Sequence, residues 1–254
     1  MSGIMEGRVA FVTGGGSGMG RETARLLAEA EARVAVADLN EDGARETAAA
    51  IEAAGGRAWA TKLDVSDSAA VDAAVSAAAE ALGPIDALVN IAGIYQVAEV
   101  QDITDADWAR MFSVHVNGTF HTCRAVLPGM MAARRGAIVN MSSLHAQRGQ
   151  ANAAHYGAAK GAIMGFTKSL AREKGPLGIR ANAVAPGPID TPLWRGGFPA
   201  DQLESVRVKR ADVIPLGRLG EPEEVAQMIV FLLSDAASYI TGQIIAIDGG
   251  ETMA

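Results

Sequence analysis

Short apolar runs alternate along the whole chain with longer stretches in which apolar residues recur every three or four positions. The first run, Arg8 to Thr13, stops at Gly14 and reads as a buried strand; a helical pattern follows through Leu26, Leu27 and Ala30. Arg33 to Asp38 is a second strand, and Glu41 to Ala54 a helix stopped by Gly55-Gly56. Arg57 to Leu63 is a strand ending at Asp64-Val65, then Ser68 to Leu82 is helical, with Ser66 or Asp67 as its N-cap. Ile85 to Asn90 is the fourth strand, and a helical stretch runs from Asp105 through Asn117 towards Arg134. Gly136 to Met141 is the fifth strand, ending at Ser142-Ser143, and Ala158 to Ala171 reads as a helix uninterrupted by proline. A strand from Ile179 to Ala185, a helix from Glu221 to Leu233 with Pro222 in its first turn, and a strand from Gln243 to Ile247 complete the series. Repeated β-α units of this length predict an α/β fold, a doubly wound parallel sheet with helices on both faces.

No linker divides this pattern, so the chain is expected to form a single domain over residues 1–254. The one long irregular stretch, Pro186 to Pro215, holds Trp194, Phe198 and a short helical pattern from Ala200 to Lys209. A long excursion beside a ligand-binding edge is expected to be a substrate-binding lid.

Composition narrows the function. Hydrophobic residues make up 49% of the 254, yet no apolar run is long enough to span a bilayer and the N-terminus carries no signal-peptide pattern, so a cytoplasmic protein is expected. One cysteine, Cys123, excludes an internal disulfide, and the four histidines have no metal-ligand spacing. A net charge of −7 without a basic cluster argues against a nucleic-acid surface.

Candidate chemistry collects where the strands end. Gly14-Gly15-Gly16-Ser17-Gly18-Met19-Gly20 joins the first strand to the first helix. Strand, glycine turn and helix together present bare N–H groups to a pyrophosphate, which makes Gly14, Ser17, Gly18, Met19 and Gly20 candidate cofactor contacts. Asp38 ends the second strand, where a carboxylate accepts both ribose hydroxyls of an adenosine and repels a 2′-phosphate. Its neighbours are Leu39 and Asn40, the turn has no Arg or Lys, and Arg21 is read as solvent-facing, so NAD(H) is expected over NADP(H). Tyr156 and Lys160 lie four apart and share a helix face. A neighbouring cation favours the phenolate, which makes Tyr156 a candidate acid/base. Asp64, Asn90 and Ser143 also fall at strand ends, where such sheets bind ligands.

The order and spacing of Thr13-Gly14, Gly18, Gly20, Asp64, Asn90-Ile91-Ala92-Gly93, Asn117, Ser143, Tyr156, Lys160, Pro186-Gly187 and Thr191 resemble the short-chain dehydrogenase/reductase family over essentially the whole chain. Ile91 stands where that family usually has a second Asn. The resemblance implies a Rossmann-like sheet, with Tyr156 as general acid/base, Ser143 hydrogen-bonding the reacting oxygen, and Lys160 holding the nicotinamide ribose and lowering the Tyr156 pKa. It implies that Asn117 holds a water linking Lys160 to solvent, through local opening of its helix. It also places Asp64-Val65 against the adenine, Asn90, Ala92 and Gly93 beside the ribose, and Pro186, Gly187, Ile189 and Thr191 around the nicotinamide end. Tyr95, Gln96, His145, Gln150 and Trp194, with Ser143, are expected around the substrate by the same analogy, and His155 is read as structural. A homotetramer is implied, packed through the helices near 117–134 and 156–171. The leading expectation is an NAD(H)-dependent enzyme interconverting a secondary alcohol and a ketone. The alternatives are a 3-oxoacyl-thioester reductase and, outside enzymes, a dinucleotide-sensing or scaffold protein.

Overall fold

The computed structural model describes residues 3–253. Seven parallel strands form one sheet in the order β3-β2-β1-β4-β5-β6-β7. They are β1 Val9–Thr13, β2 Arg33–Asp38, β3 Arg57–Lys62, β4 Ala87–Asn90, β5 Gly136–Met141, β6 Ile179–Pro186 and β7 Ile244–Ile247. The order reverses beside β1, whose Thr13 pairs with Ala37 of β2 on one side and Asn90 of β4 on the other. That reversal opens a crevice past the C-terminal strand ends, where a ligand fits.

Side chains alternate across the strands, so successive residues of β1 feed opposite layers. Ala10 and Val12 join Leu27, Val36, Ile229 and Leu232 on one face, whereas Val9 and Phe11 join Val71, Leu88, Val126 and Met130 on the other. The first layer is covered by α1 Gly18–Glu29, α2 Glu41–Ala53 and α10 Pro222–Leu233. The second is covered by α3 Ser68–Leu82, α5 Gly118–Ala133 and α7 Ala154–Lys174. Local chemistry fixes the helix starts: Asp67 accepts hydrogen bonds from the Ala69 and Ala70 amides, and Asn40 from that of Gly43.

Three departures from the expected pattern bear on function. The long helix after β4 is α4 Asp105–Phe112, a π-turn over Ser113–Asn117, then α5. A short helix, α6 Leu144–Arg148, intervenes between Ser143 and α7, which itself starts at Ala154. The irregular stretch after β6 contains α8 Pro192–Arg195 and α9 Leu203–Ala211, the latter displaced from the expected 200–209. Glycine and proline punctuate that segment, so polar periodicity alone located its helix poorly.

Candidate active site

Two glycines, one in the turn between β1 and α1 and one in the first turn of α1, are required by space. Gly14 has φ +69°, and a Cβ there would lie 2.8 Å from the Ala92 amide nitrogen. At Gly20 a Cβ would sit 1.9 Å from the Gly14 carbonyl oxygen. The turn therefore presses against the β4 loop, where Thr13 Oγ1 accepts from the Ile91 and Ala92 amides at 3.1 and 3.2 Å. Ser17 caps α1 without a side-chain hydrogen bond, and the first turn of α1 carries no acid. Its amides are thus open to an anion. Asp38 accepts from the Gly16 amide at 2.8 Å and the Asn40 amide at 2.9 Å. These residues fit a dinucleotide: a cradle that Cβ atoms would fill, a helix N-terminus, and a carboxylate beside both. Arg21 is less free than expected. Its guanidinium donates to the Gly16 carbonyl and pairs with Glu46 at 3.1 Å.

Around the crevice, Asp64 is exposed and accepts from the Ser66 amide and hydroxyl, while Val65 is buried. Asn90 faces inward. Its amide donates to Asn140 Oδ1 at 2.9 Å and its carbonyl accepts from Thr122 at 2.6 Å, so the side chain fastens β4 to β5 and leaves the loop after it to face the crevice.

Ser143 lies two residues past β5 and caps α6, with Oγ accepting from the His145 amide at 3.2 Å. Tyr156 lies on the first turns of α7, inside three rings: Tyr95, His115 and His145, at centroid distances of 5.1, 5.4 and 5.7 Å, all edge-on. Lys160 is buried, its Nζ 5.6 Å from the Tyr156 ring centroid and donating to the Met141 carbonyl at 2.8 Å. Burial alone brings the Lys160 ammonium down to about 7. The expected depression of Tyr156 is reversed. Burial pushes its phenol up to about 12, against the pull of the Ser143 hydrogen bond, and Tyr95 adds to the rise. The ammonium is aimed at a backbone carbonyl, so desolvation wins.

The wide turn is a local opening of the kind expected in this helix. The Asn117 side chain is exposed, whereas His115 is buried against Tyr156. Winding i to i+5, with the Gly118 amide on the Ser113 carbonyl, presents His115 inward and Asn117 outward. His115 Nε2 lies 2.8 Å from the Ile94 carbonyl and 3.2 Å from the Ile94 amide, while its Nδ1 is buried without a partner. Burial, reinforced by Lys160, holds this imidazole well below its ordinary pKa, hence neutral. A Cβ on Gly93 would come within 2.4 Å of His115 Cε1, so that glycine makes room for the ring. No spacing rule in the sequence points to His115; the opened helix is the only signal for it.

A cavity of about 350 Å³ adjoins this group. Tyr95, Ser143, His145, Gln150, Tyr156 and Trp194 line it, as do Met19, Pro186, Gly187, Ile189 and Thr191. Gln96 does not. It lies between two wall residues, Tyr95 and Val97, and bonds Asp107 instead. Val206 and Arg210, on α9, complete the wall. The sequence did not single them out, since α9 reads as a solvated, charged helix. Buried acids tie this segment down: Asp190 pairs with Arg195 at 2.6 Å and Arg207 at 3.0 Å, and Glu251 with Arg148 at 2.8 Å and Arg210 at 3.1 Å. Among the described residues no cluster could hold a metal ion, and no helix is long and apolar enough to cross a membrane.

Residues 14–252 match the family model described as enoyl-(acyl-carrier-protein) reductase. The chain is 46% identical over 246 residues to a cis-4-hydroxycyclohexanecarboxylate dehydrogenase of Sinomonas cyclohexanicum, covering 96% of each. It is 40% identical over 253 residues to a cyclohexanol dehydrogenase of an Acinetobacter species, covering 99% of this chain and 98% of the other. A solved 3-oxoacyl-(acyl-carrier-protein) reductase of Brucella melitensis with bound NAD superposes with TM-score 0.90 at 38% identity, covering 100% of this chain and 94% of that one. With the tyrosine, lysine and serine gathered at the strand ends beside a glycine cradle, these matches mean that the chain belongs to the short-chain dehydrogenase/reductase family and is an oxidoreductase that uses a nicotinamide cofactor.

Proposed function

We propose that the protein interconverts a secondary alcohol and a ketone with NAD(H). The observation that carries this reading is Tyr156, placed on the cavity wall with Ser143, in front of a buried Lys160 on the same helix. In reduction the Tyr156 hydroxyl donates its proton to the carbonyl oxygen while the Ser143 hydroxyl donates a hydrogen bond to that oxygen, and in oxidation the proton returns. A phenol held near 12 is protonated at neutral pH, which suits the donor role. The nicotinamide, when bound, supplies or accepts the hydride. Gly14, Ser17, Gly18, Met19 and Gly20 would hold its pyrophosphate, and Lys160, turning from the Met141 carbonyl, its ribose. Positioning of this kind supplies roughly 7–11 kcal/mol of a barrier. His115 keeps the Tyr156 ring in place. Asn117, exposed at the end of the π-turn, would hold a water that links Lys160 to solvent through that opening.

Asp38 favours NAD(H), because its carboxylate sits beside the Gly16 amide where a 2′-phosphate would meet it. The segment 186–215 acts as a lid within a single catalytic domain, and the Arg207–Asp190 pair clamps it. A homotetramer in the cytoplasm fits the exposed Trp108, Phe120 and Met131 on α4 and α5. The cavity and the two ring-alcohol dehydrogenases among the relatives favour cyclic secondary alcohols. The test is a panel of cyclic alcohols, linear ketones and a 3-oxoacyl thioester, followed by nicotinamide absorbance. Turnover of ring alcohols with NAD is expected. Turnover confined to the thioester would hand the assignment to the acyl reductase reading, and tight NADH binding with no turnover at all would favour a sensor.

A further inference from the structure

The cavity wall is apolar or neutral except at one point. Arg210 is its single charged side chain among the described residues. Of the two titratable rings beside it, Tyr95 is raised by burial, and His145 is brought down to about 4 by burial and by the fields of Arg148 and Arg210, so both are uncharged near neutrality. The guanidinium is anchored from behind. Glu251, its side chain only 3% exposed, receives Arg210 Nη2 at 3.1 Å on the same Oε1 that Arg148 Nη2 reaches at 2.8 Å. Two cations share one carboxylate, which leaves a positive charge over. Arg210 Nε and Nη1 have no partner among the described residues. A buried acid thus fixes a guanidinium whose remaining donors stay unused, beside an apolar cavity in which charge-assisted bonds gain strength.

We infer that the substrate carries an anionic group, a carboxylate or sulfonate, bound by Arg210 while its carbinol carbon lies at Tyr156. The inference rests on the reading of Tyr156 as the reacting end. Tyr95 and His145 connect the two ends: each packs edge-on against Tyr156, and each feels the Arg210 charge. A cavity of about 350 Å³ between such ends suits a six-membered ring bearing the alcohol on one side and the acid on the other.

The test measures calorimetric affinity of the NADH-loaded protein for cyclohexanecarboxylate, cyclohexanesulfonate and the neutral cyclohexanecarboxamide at pH 7. One or both anions should bind about 10–100-fold more tightly than the amide, and their order tells which acid the site takes. Arg210→Ala should abolish that preference and Arg210→Lys keep part of it. Equal affinity for acid and amide in the unaltered protein, which needs no variant to fold, would overturn the inference, as would a preference that survives Arg210→Ala. Turnover is read separately with NAD, on 4-hydroxycyclohexanecarboxylate and its amide. No oxidation of either would strike the dehydrogenase reading while the binding ratio still decides the anion site. Oxidation of both with equal KM would strike the anion site alone.

Discussion

The two sides of the crevice are built on different principles. The cofactor side, from β1 to the loop after β4, is shaped by backbone that meets backbone: Gly14 against Ala92, and Gly20 against the Gly14 carbonyl. The substrate side is shaped by side chains, many of them on the short helices α6, α8 and α9, which ion pairs hold to Asp190 and Glu251. Backbone contact tolerates almost no substitution. Side-chain walls can be exchanged one residue at a time. A family can therefore keep one cofactor while its members diverge in substrate, and the contrast places cofactor binding in the first kind of region and the selectivity in the second.

Tyr156→Phe should have the largest effect on activity, because it removes the proton donor and leaves the glycine cradle untouched. Turnover should fall by about 10²–10⁴-fold with NADH affinity, read by fluorescence titration, nearly unchanged. Equal loss of both would dissolve the separation between the two sides.

Lys160→Met tests how much of the site's strain is desolvation. With Lys160 at about 7 when folded and 10.5 ordinarily, the unfolded chain binds the extra proton between those values. Stability should therefore rise with pH across that interval, the burial penalty being complete below pH 7 and gone above about 10.5, a span worth on the order of 5 kcal/mol. Tyr156 acts oppositely, but only above pH 10. Denaturant unfolding of Lys160→Met should lose that slope; an identical slope in the variant would assign it elsewhere.

Asp38→Ala with Leu39→Arg should shift the ratio of kcat/KM for NAD to that for NADP by about 10–100-fold towards NADP, since one change removes a repulsion and the other adds a phosphate partner. A constant ratio would show that Asp38 serves only the Gly16 turn.

The smallest effect is expected from His115→Leu, about 3–10-fold on kcat, on the scale of one lost ring contact of roughly 1 kcal/mol. A positioning role requires the alkaline limb of the oxidation profile to move as well, with His115→Asn restoring part of it. A lowered Tm with an unmoved profile would make His115 part of the packing only.

These unequal principles also set what could be read in advance. The alternation of strands and helices, the glycine turn, Asp38 and the Tyr156–Lys160 face follow from periodicity and from steric rules that act over a few residues. The substrate wall does not. Arg210 reaches Glu251 from 41 positions away, and its helix looks like any solvated one in composition. Gln96 bonds Asp107, eleven positions along the chain, a partner that spacing does not reveal. The Tyr156 pKa depended on a quantity absent from spacing altogether, the degree of burial around an ammonium that bonds a carbonyl.

The π-turn at Ser113–Asn117 has one more consequence. It is an α-helix carrying a surplus residue, with one extra position looped into a single turn. Deleting Val116 would let that loop tighten to ordinary i to i+4 winding, with α4 and α5 left close to their present seats. His115 would be drawn off Tyr156 in the same movement. One peptide unit thus separates a helix that merely spans the layer from one that reaches into the chemistry.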